Sequence, residues 1–316
     1  MGRLNRVLVA LTRWGLGICA LLAVLVALYV SLGRELVPLV AEYRADVESK
    51  AEQALGLPVH VGALEGHWSG LAPVLRVRDL QLGEGTKALR LDDVMVVPDI
   101  WASLTAREVR LARIQLGGLQ LILRENEQGA WSLEGLPKKD DAPLDPADLL
   151  QRLRQLGRID VFDSLVTLHP WQRDPLTLTY VSAGLQASAT RQALDLRATL
   201  PDGQPLALSL NSRMSADAWR DGEVDAYVSL PQSDWAHWLP PKVLGQWHAD
   251  TLRAGGEFWI GWGKGQLQRA VVRLNAPRLE GAYAGRKAAN LNNLALGAWF
   301  QRREQGFDVV VDSLAM

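Results

Sequence analysis

From about residue 56 onward, apolar and polar residues alternate one for one along most of the chain. This is the period of a strand with one face on an apolar layer and the other in water. Leu75-Arg76-Val77-Arg78 is followed by Leu80-Gln81-Leu82, Leu89-Arg90-Leu91, Val94-Met95-Val96, Leu119-Gln120-Leu121-Ile122-Leu123 and Trp131-Ser132-Leu133. The alternation resumes at Ile159-Asp160-Val161 and Leu165 to Leu168, then at Leu176-Thr177-Leu178-Thr179-Tyr180, Leu194-Asp195-Leu196 and Leu206-Ala207-Leu208-Ser209-Leu210. Val224 to Val228, Phe258-Trp259-Ile260, Val271 to Leu274 and Phe307 to Val311 continue it. Gly83-Glu84-Gly85, Gln128-Gly129, Pro201-Asp202-Gly203 and Asp221-Gly222 supply turns between the runs. The pattern predicts about fifteen strands joined mostly by short turns, hence a mainly β, mostly antiparallel sheet.

Helical periodicity is confined to a few places. It predicts an amphipathic helix over Pro38 to Leu55, stopped by Gly56-Leu57-Pro58. A second helix is expected over Pro143 to Gly157, opened by Asp145-Pro146, and a short one over Ser233 to Leu239, ended by Pro240-Pro241. The polar run Pro137-Lys138-Lys139-Asp140-Asp141 marks a boundary between two β segments. Leu111-Ala112-Arg113-Ile114-Gln115-Leu116-Gly117-Gly118-Leu119 is echoed about 45 residues later by Leu156 to Leu165, a weak internal repeat.

So few helices cannot cover the apolar face of so many strands. The sheet must fold on itself as a sandwich or barrel, or curl into a trough whose interior receives a ligand. Fifteen unclosed strands at ~4.8 Å would extend roughly 70 Å. In the trough reading, the groove is lined by Leu75, Val77, Leu89, Leu91, Val94, Val96, Leu119, Leu121, Leu123, Leu176, Leu178, Leu206 and Leu208.

The first 34 residues follow a different rule. Trp14 to Gly33 is a run of uncharged residues, about 30 Å long as a helix, which matches a bilayer's hydrocarbon core. It is longer than the apolar stretch of a cleaved signal peptide and runs on into Arg34-Glu35-Leu36-Val37-Pro38, so a retained signal anchor is expected. Arg3, Arg6 and Arg13 precede the span and Glu35, Glu42, Asp46 and Glu48 follow it. The positive-inside bias then places the N-terminus in the cytoplasm and the body outside the membrane. The expected organisation is a cytoplasmic tail at 1–13, a transmembrane anchor at 14–33, a first β segment with its leading helix at 34–137, a linker and helix at 138–157, and a second β segment at 158–316.

Charge sharpens this division. Of 34 basic residues, four lie in the first 34 positions with no acid, so 30 face all 35 acids in the body. A mildly acidic body is a poor nucleic-acid partner, because phosphate binding needs a clustered positive face. Cys19, inside the apolar span, is the only cysteine, so the body holds neither disulfides nor thiolate metal sites.

Catalytic constellations are not evident. His60, His67, His169, His237 and His248 form no His-Glu-x-x-His spacing. In Gly66-His67-Trp68-Ser69-Gly70 the serine sits one place too late for a nucleophile elbow, and a turn between strands is expected there. Gly261-Trp262-Gly263-Lys264-Gly265 completes neither a dinucleotide fingerprint nor a phosphate loop and reads as a strand end with a hairpin turn. Asp92-Asp93 and Asp140-Asp141 are neighbours in sequence, which on a strand sends them to opposite faces. No enzyme activity, cofactor or metal is expected.

The order of several phrases carries a resemblance. After the apolar span and amphipathic helix come Gly56-Leu57-Pro58-Val59-His60-Val61, Leu64-Glu65-Gly66-His67-Trp68 and Pro73 to Leu82. Asp99-Ile100-Trp101-Ala102-Ser103-Leu104 and Asn126-Glu127-Gln128-Gly129-Ala130-Trp131-Ser132-Leu133 follow. Over roughly residues 1–200 this series resembles the start of AsmA-like proteins, in particular the YhdP branch. The resemblance implies a single-pass inner-membrane protein of Gram-negative bacteria whose periplasmic β groove carries phospholipid acyl chains toward the outer membrane. Members of this branch are much longer chains. The strand-like Phe307 to Met316 is accordingly expected to pair with further chain or with an envelope protein. The alternative is a periplasmic β-sandwich scaffold or assembly factor that acts through protein contacts.

Overall fold

The computed structural model describes residues 24, 27–35, 37–69, 72–83, 85, 88–107, 110–129, 131–134, 157–188, 190–215, 221–236, 238, 247–283 and 289–315. Its body is one sheet of fifteen strands. These are β1 (Val59–Ser69), β2 (Ala72–Leu82), β3 (Leu89–Pro98), β4 (Leu111–Gly117), β5 (Gln120–Glu125), β6 (Trp131–Leu133), β7 (Arg158–His169) and β8 (Leu176–Ala187). They continue as β9 (Gln192–Thr199), β10 (Pro205–Arg213), β11 (Glu223–Asp234), β12 (Trp247–Gly263), β13 (Gln266–Tyr283), β14 (Ala289–Arg303) and β15 (Gly306–Ala315). Thirteen of them form a continuous path, β1 to β4 and then β7 to β15, while β5 pairs with β3, β6 and β7. With ~4.8 Å between strands, the path is about 60 Å from β1 to β15.

Every pairing is antiparallel except β4 with β7 and β5 with β7. Those two parallel ladders explain the echo in the sequence. Arg113 lies beside Arg158, Ile114 beside Ile159 and Leu116 beside Val161, and further on Gln120 lies beside Leu165. The offset of 45 positions is therefore a physical stacking of like segments. Strands before and after residues 138–157 pair within one sheet. Residues 135–156, which include most of the expected linker helix, lie outside the described set.

The N-terminal helical region takes the predicted place in two pieces. Val37–Tyr43 is a 3-10 helix and Arg44–Leu55 an α-helix, α1. Gly56 ends α1 in the left-handed conformation, its N–H bonded to the Glu52 carbonyl, which only glycine adopts without strain. α1 lies along the free edge of β1. Glu52 Oε1 accepts from the Val59 N–H at 3.1 Å, Glu48 Oε1 accepts from the Val61 N–H at 2.7 Å, and Arg44 donates to the Gly62 carbonyl at 3.0 Å. Two outward-pointing edge donors are thereby satisfied without another strand.

Three expectations are revised. The Ser233 to Leu239 region is not a helix where described. Ser233 and Asp234 end β11, and a turn closed by the Trp238 N–H on the Trp235 carbonyl follows. Gly66 to Ser69 belongs to β1 rather than to a turn, and Gly66 is required there. A Cβ at that position would lie 2.1 Å from the Val37 carbonyl oxygen, where the 3-10 helix crosses the strand. A short helix absent from the periodicity, α2 (Ile100–Ala106), joins β3 to β4, capped by Asp99.

The anchor span falls mostly on undescribed residues. Residues 27–35 are helical. Among the described residues no helix is long and apolar enough to cross a membrane.

Candidate functional site

The pairing register aligns apolar side chains from every strand of the long path. One row runs Leu64, Val77, Val94, Leu116, Val161, Ala183, Leu196, Leu208, Val228, Phe258, Val272, Ala298 and Val311, each residue opposite the next across β1 to β4 and β7 to β15. A second row runs beside it as Leu75, Val96, Ile114, Ile159, Leu185, Leu194, Leu210, Ala226, Ile260, Ala270, Phe300 and Val309. Residues two apart on a strand share a face, so the two rows form one uninterrupted apolar stripe. No position in either row is polar. A one-residue slip at any ladder would turn every later side chain to the other face, so this continuity demands correct register throughout.

The thirteen candidate lining residues all fall on this face. Leu75, Val77, Val94, Val96 and Leu208 stand in the rows themselves. Leu89 and Leu91 pack with Val77 and Val94 in one cluster, and Leu206 lies two residues from Leu208, opposite Ala198 of β9. Leu121 and Leu123 on β5 face Val166 and Leu168 on β7, which in turn face Leu178 and Leu176 on β8. Leu119 joins Leu91 and Val94 in one packed cluster. Ile114, Ile159, Leu185, Leu194, Leu196, Val228, Phe258, Ile260, Val272 and Phe300 also belong to the stripe. The alternation of most of them was visible in the sequence, but Ile114, Leu185 and Phe300 lay outside the alternating runs, and the choice between Phe258 and Trp259 as inward residue needed the register.

The stripe is closed at one end and open at the other. Leu91, Val94 and Leu119 are buried, with Val77, Leu80, Leu116, Leu121 and Val161 packed on them. Val59, Val61 and Leu64 form a neighbouring buried cluster that Val40 and Ala51 of the N-terminal helices help to cover. Side chains on one face of a flat sheet cannot bury one another so fully, so the sheet curls toward this face. After Leu200 the described buried apolar residues are only Ala254 and Ala276. Ile260, Val309 and Val311 of the stripe are exposed, as are Trp262 and Leu314 beside it, and Phe307 keeps 66% of its surface in solvent.

The opposite face carries the charge. Arg76 pairs with Asp93 at 2.6 Å, Arg113 with Asp160 at 3.4 Å, Arg269 with Asp225 at 2.8 Å and Arg303 with Asp308 at 2.8 Å, all across strands. The hydrogen bond to Asp93, followed by the Coulomb attraction, raises the Arg76 pKa, so that guanidinium stays charged. Over β11 to β15 this face also carries an apolar row. Tyr227, Trp259, Val271, Trp299 and Val310 are aligned across β11 to β15, with Arg273 above the Trp259 ring at 5.2 Å. The Tyr227 hydroxyl donates to Glu257 at 2.8 Å, and this bond pushes the phenol pKa up.

Buried polar groups are structural. Glu125 accepts from the Trp171 N–H and Arg173, Ser164 links the Leu119 N–H to the Phe162 carbonyl, and Ser212 donates to Gln192. Among the described residues no group of three or more His, Cys, Asp or Glu side chains could hold a metal ion.

No curated protein and no solved structure matches this chain. The family model of the YhdP protein matches it over residues 1–316, and the chain belongs to the YhdP family.

Proposed function

We propose that this protein carries phospholipid along the apolar stripe, from the inner membrane into the periplasm toward the outer membrane, without catalysis. The observation that supports it is the pair of unbroken apolar rows, left uncovered over β10 to β15. An apolar surface of that extent on one face of a sheet is the complement of an acyl chain. Moving two acyl chains of about sixteen carbons through water costs roughly 25 kcal/mol at ~0.8 kcal/mol per CH₂. Contact with the stripe at every step removes most of that barrier. Headgroups stay in water at the trough's open side, so no specific polar pocket is needed.

In this reading residues 14–33 anchor the chain in the inner membrane, with residues 1–13 in the cytoplasm and the sheet in the periplasm. Native mass spectrometry of the full chain, released from detergent, tests the proposal. Bound phospholipid is expected, and Ile260→Asp with Val272→Asp is expected to abolish it. A lipid-free protein that retains its fold would sink the proposal.

One observation favours a second reading. The outward row Tyr227, Trp259, Val271, Trp299 and Val310 suits a protein contact, as a scaffold would make. Under that reading Trp259→Ser and Trp299→Ser would cost function while lipid binding stays unchanged.

A further inference from the structure

The most exposed large apolar residue among those described is Trp101, with 78% of its surface in solvent, and Leu104, at 69%, is the most exposed of the large aliphatic residues among them. Both lie on α2, three residues apart, and so on one side of that helix. Their exposure is imposed by the fold. The Asp99 side chain accepts from the Ala102 N–H at 2.8 Å, and the Asp99 N–H is bonded to the Arg110 carbonyl at 2.8 Å. The Ser103 hydroxyl both accepts from the Arg110 N–H and donates to its carbonyl, and Arg107 closes the helix with its N–H on the Ser103 carbonyl. The helix is thus strapped to both flanking strands with its apolar side outward.

Its position gives the exposure a meaning. Pro98 of β3 and Leu111 of β4, which flank α2, lie at the same rim of the sheet as Trp68 near the end of β1. At that rim the N-terminal helical segment meets the sheet. Tyr29 packs edge-on against Trp68 with ring centroids 5.0 Å apart, and a Cβ at Gly33 would fall 2.2 Å from the Trp68 ring. The same segment exposes Val24, Leu28 and Leu32. Two or three strands, about 10–15 Å, separate it from α2. Two exposed apolar elements therefore share one corner of the molecule.

We infer that α2 is a second membrane contact, a rigid wedge whose Trp101 and Leu104 seat in the headgroup–acyl boundary of the bilayer that holds the N-terminal apolar segment. A tryptophan beside an aliphatic residue suits that boundary, where an amphipathic ring has one end apolar and the other wet. Asp99 and Glu108 balance Arg107 and Arg110, so the contact is apolar rather than electrostatic. With the anchor alone, the sheet would swivel about one point. With α2 seated as well, this rim is held at the lipid source. The inference builds on the anchored reading above, but it concerns depth in the bilayer and not lipid carriage.

The test uses the full chain with Cys19→Ala and Leu104→Cys, labelled with an environment-sensitive fluorophore and reconstituted in phosphatidylcholine vesicles. Some of the lipids carry a nitroxide close to the headgroup. Position 104 is expected to shift to the blue and to be quenched several-fold more by the nitroxide lipid than by aqueous iodide. A label introduced by Asp174→Cys, at the opposite rim, is expected to show the reverse. The result at 104 is expected to persist in high salt and in the background of Ile260→Asp with Val272→Asp, where the stripe is expected to bind no lipid. Iodide quenching at 104 equal to that at 174, or loss of the nitroxide effect in high salt, would overturn the inference.

Discussion

The stretch from β1 to β7 and the stretch from β11 to β15 are written in the same alternation and joined in the same register, yet they end in different states. In the first, Leu64, Leu91, Val94 and Leu119 are buried and the outer edge of β1 is sealed by carboxylates of α1. In the second, no large apolar side chain of the stripe is buried, and the edge strand β15 exposes Phe307, Val309, Val311 and Leu314. The difference lies in what covers the face. Helices, the extra strand β5 and tight curvature act on the first stretch, while long strands of up to 18 residues, with no helix among the described residues, make the second. Apolar alternation thus specifies where a face points, and only local additions decide whether it becomes core or binding surface.

That contrast can be broken at matched positions. Val94→Asp places a charge in the buried cluster and costs several kcal/mol, so the first stretch is expected to lose its cooperative transition in a thermal melt followed by circular dichroism. Val272→Asp, opposite Phe258 in the open stretch, is expected to move the same melt by only a few degrees. A smaller version is Leu91→Ala, expected to cost about 2–4 kcal/mol in urea unfolding, against under ~0.5 kcal/mol for Val311→Ala.

The two edges offer a finer test. Glu48→Ala with Glu52→Ala removes both acceptors from β1 and is expected to cost about 1–3 kcal/mol. In hydrogen exchange the Val59 and Val61 amides should then exchange as quickly as the outward amides of β15. Smallest of all is Arg76→Gln on the charged face. Its pair with Asp93 is only half-buried and is screened by salt, so the melting temperature is expected to fall by no more than a degree or two.

Much of this was legible in the sequence because a strand's period of two is a local signal. Twelve of the fifteen strands, the mainly antiparallel order and the shared face of Leu75 and Val77 follow from it directly, while β1, β4 and β14 fall outside the alternating runs. The helix that ends at Gly56 was legible for the same reason. What stayed hidden was non-local. In β1 the glycines at 62 and 66 interrupt the alternation, and Gly66 is set by contact with Val37, a residue 29 positions earlier. In β12 both Phe258 and Trp259 are apolar, so only the partners Val228 and Val271 reveal which face each occupies. Ser233 to Leu239 has helical spacing, yet pairing of β11 with β12 holds Ser233 and Asp234 extended opposite Ala254 and Arg253.

The central claim is that the continuous apolar face carries lipid along its uncovered length. Photo-crosslinking in living cells tests it most directly, with a benzophenone amino acid at Leu196, Val228 and Val272 on the stripe and at Arg197, Tyr227 and Arg273 on the opposite face. Phospholipid captured from all three stripe positions and from none of the other three is the predicted result. Equal capture from both faces, or capture of protein alone from the stripe, would contradict it.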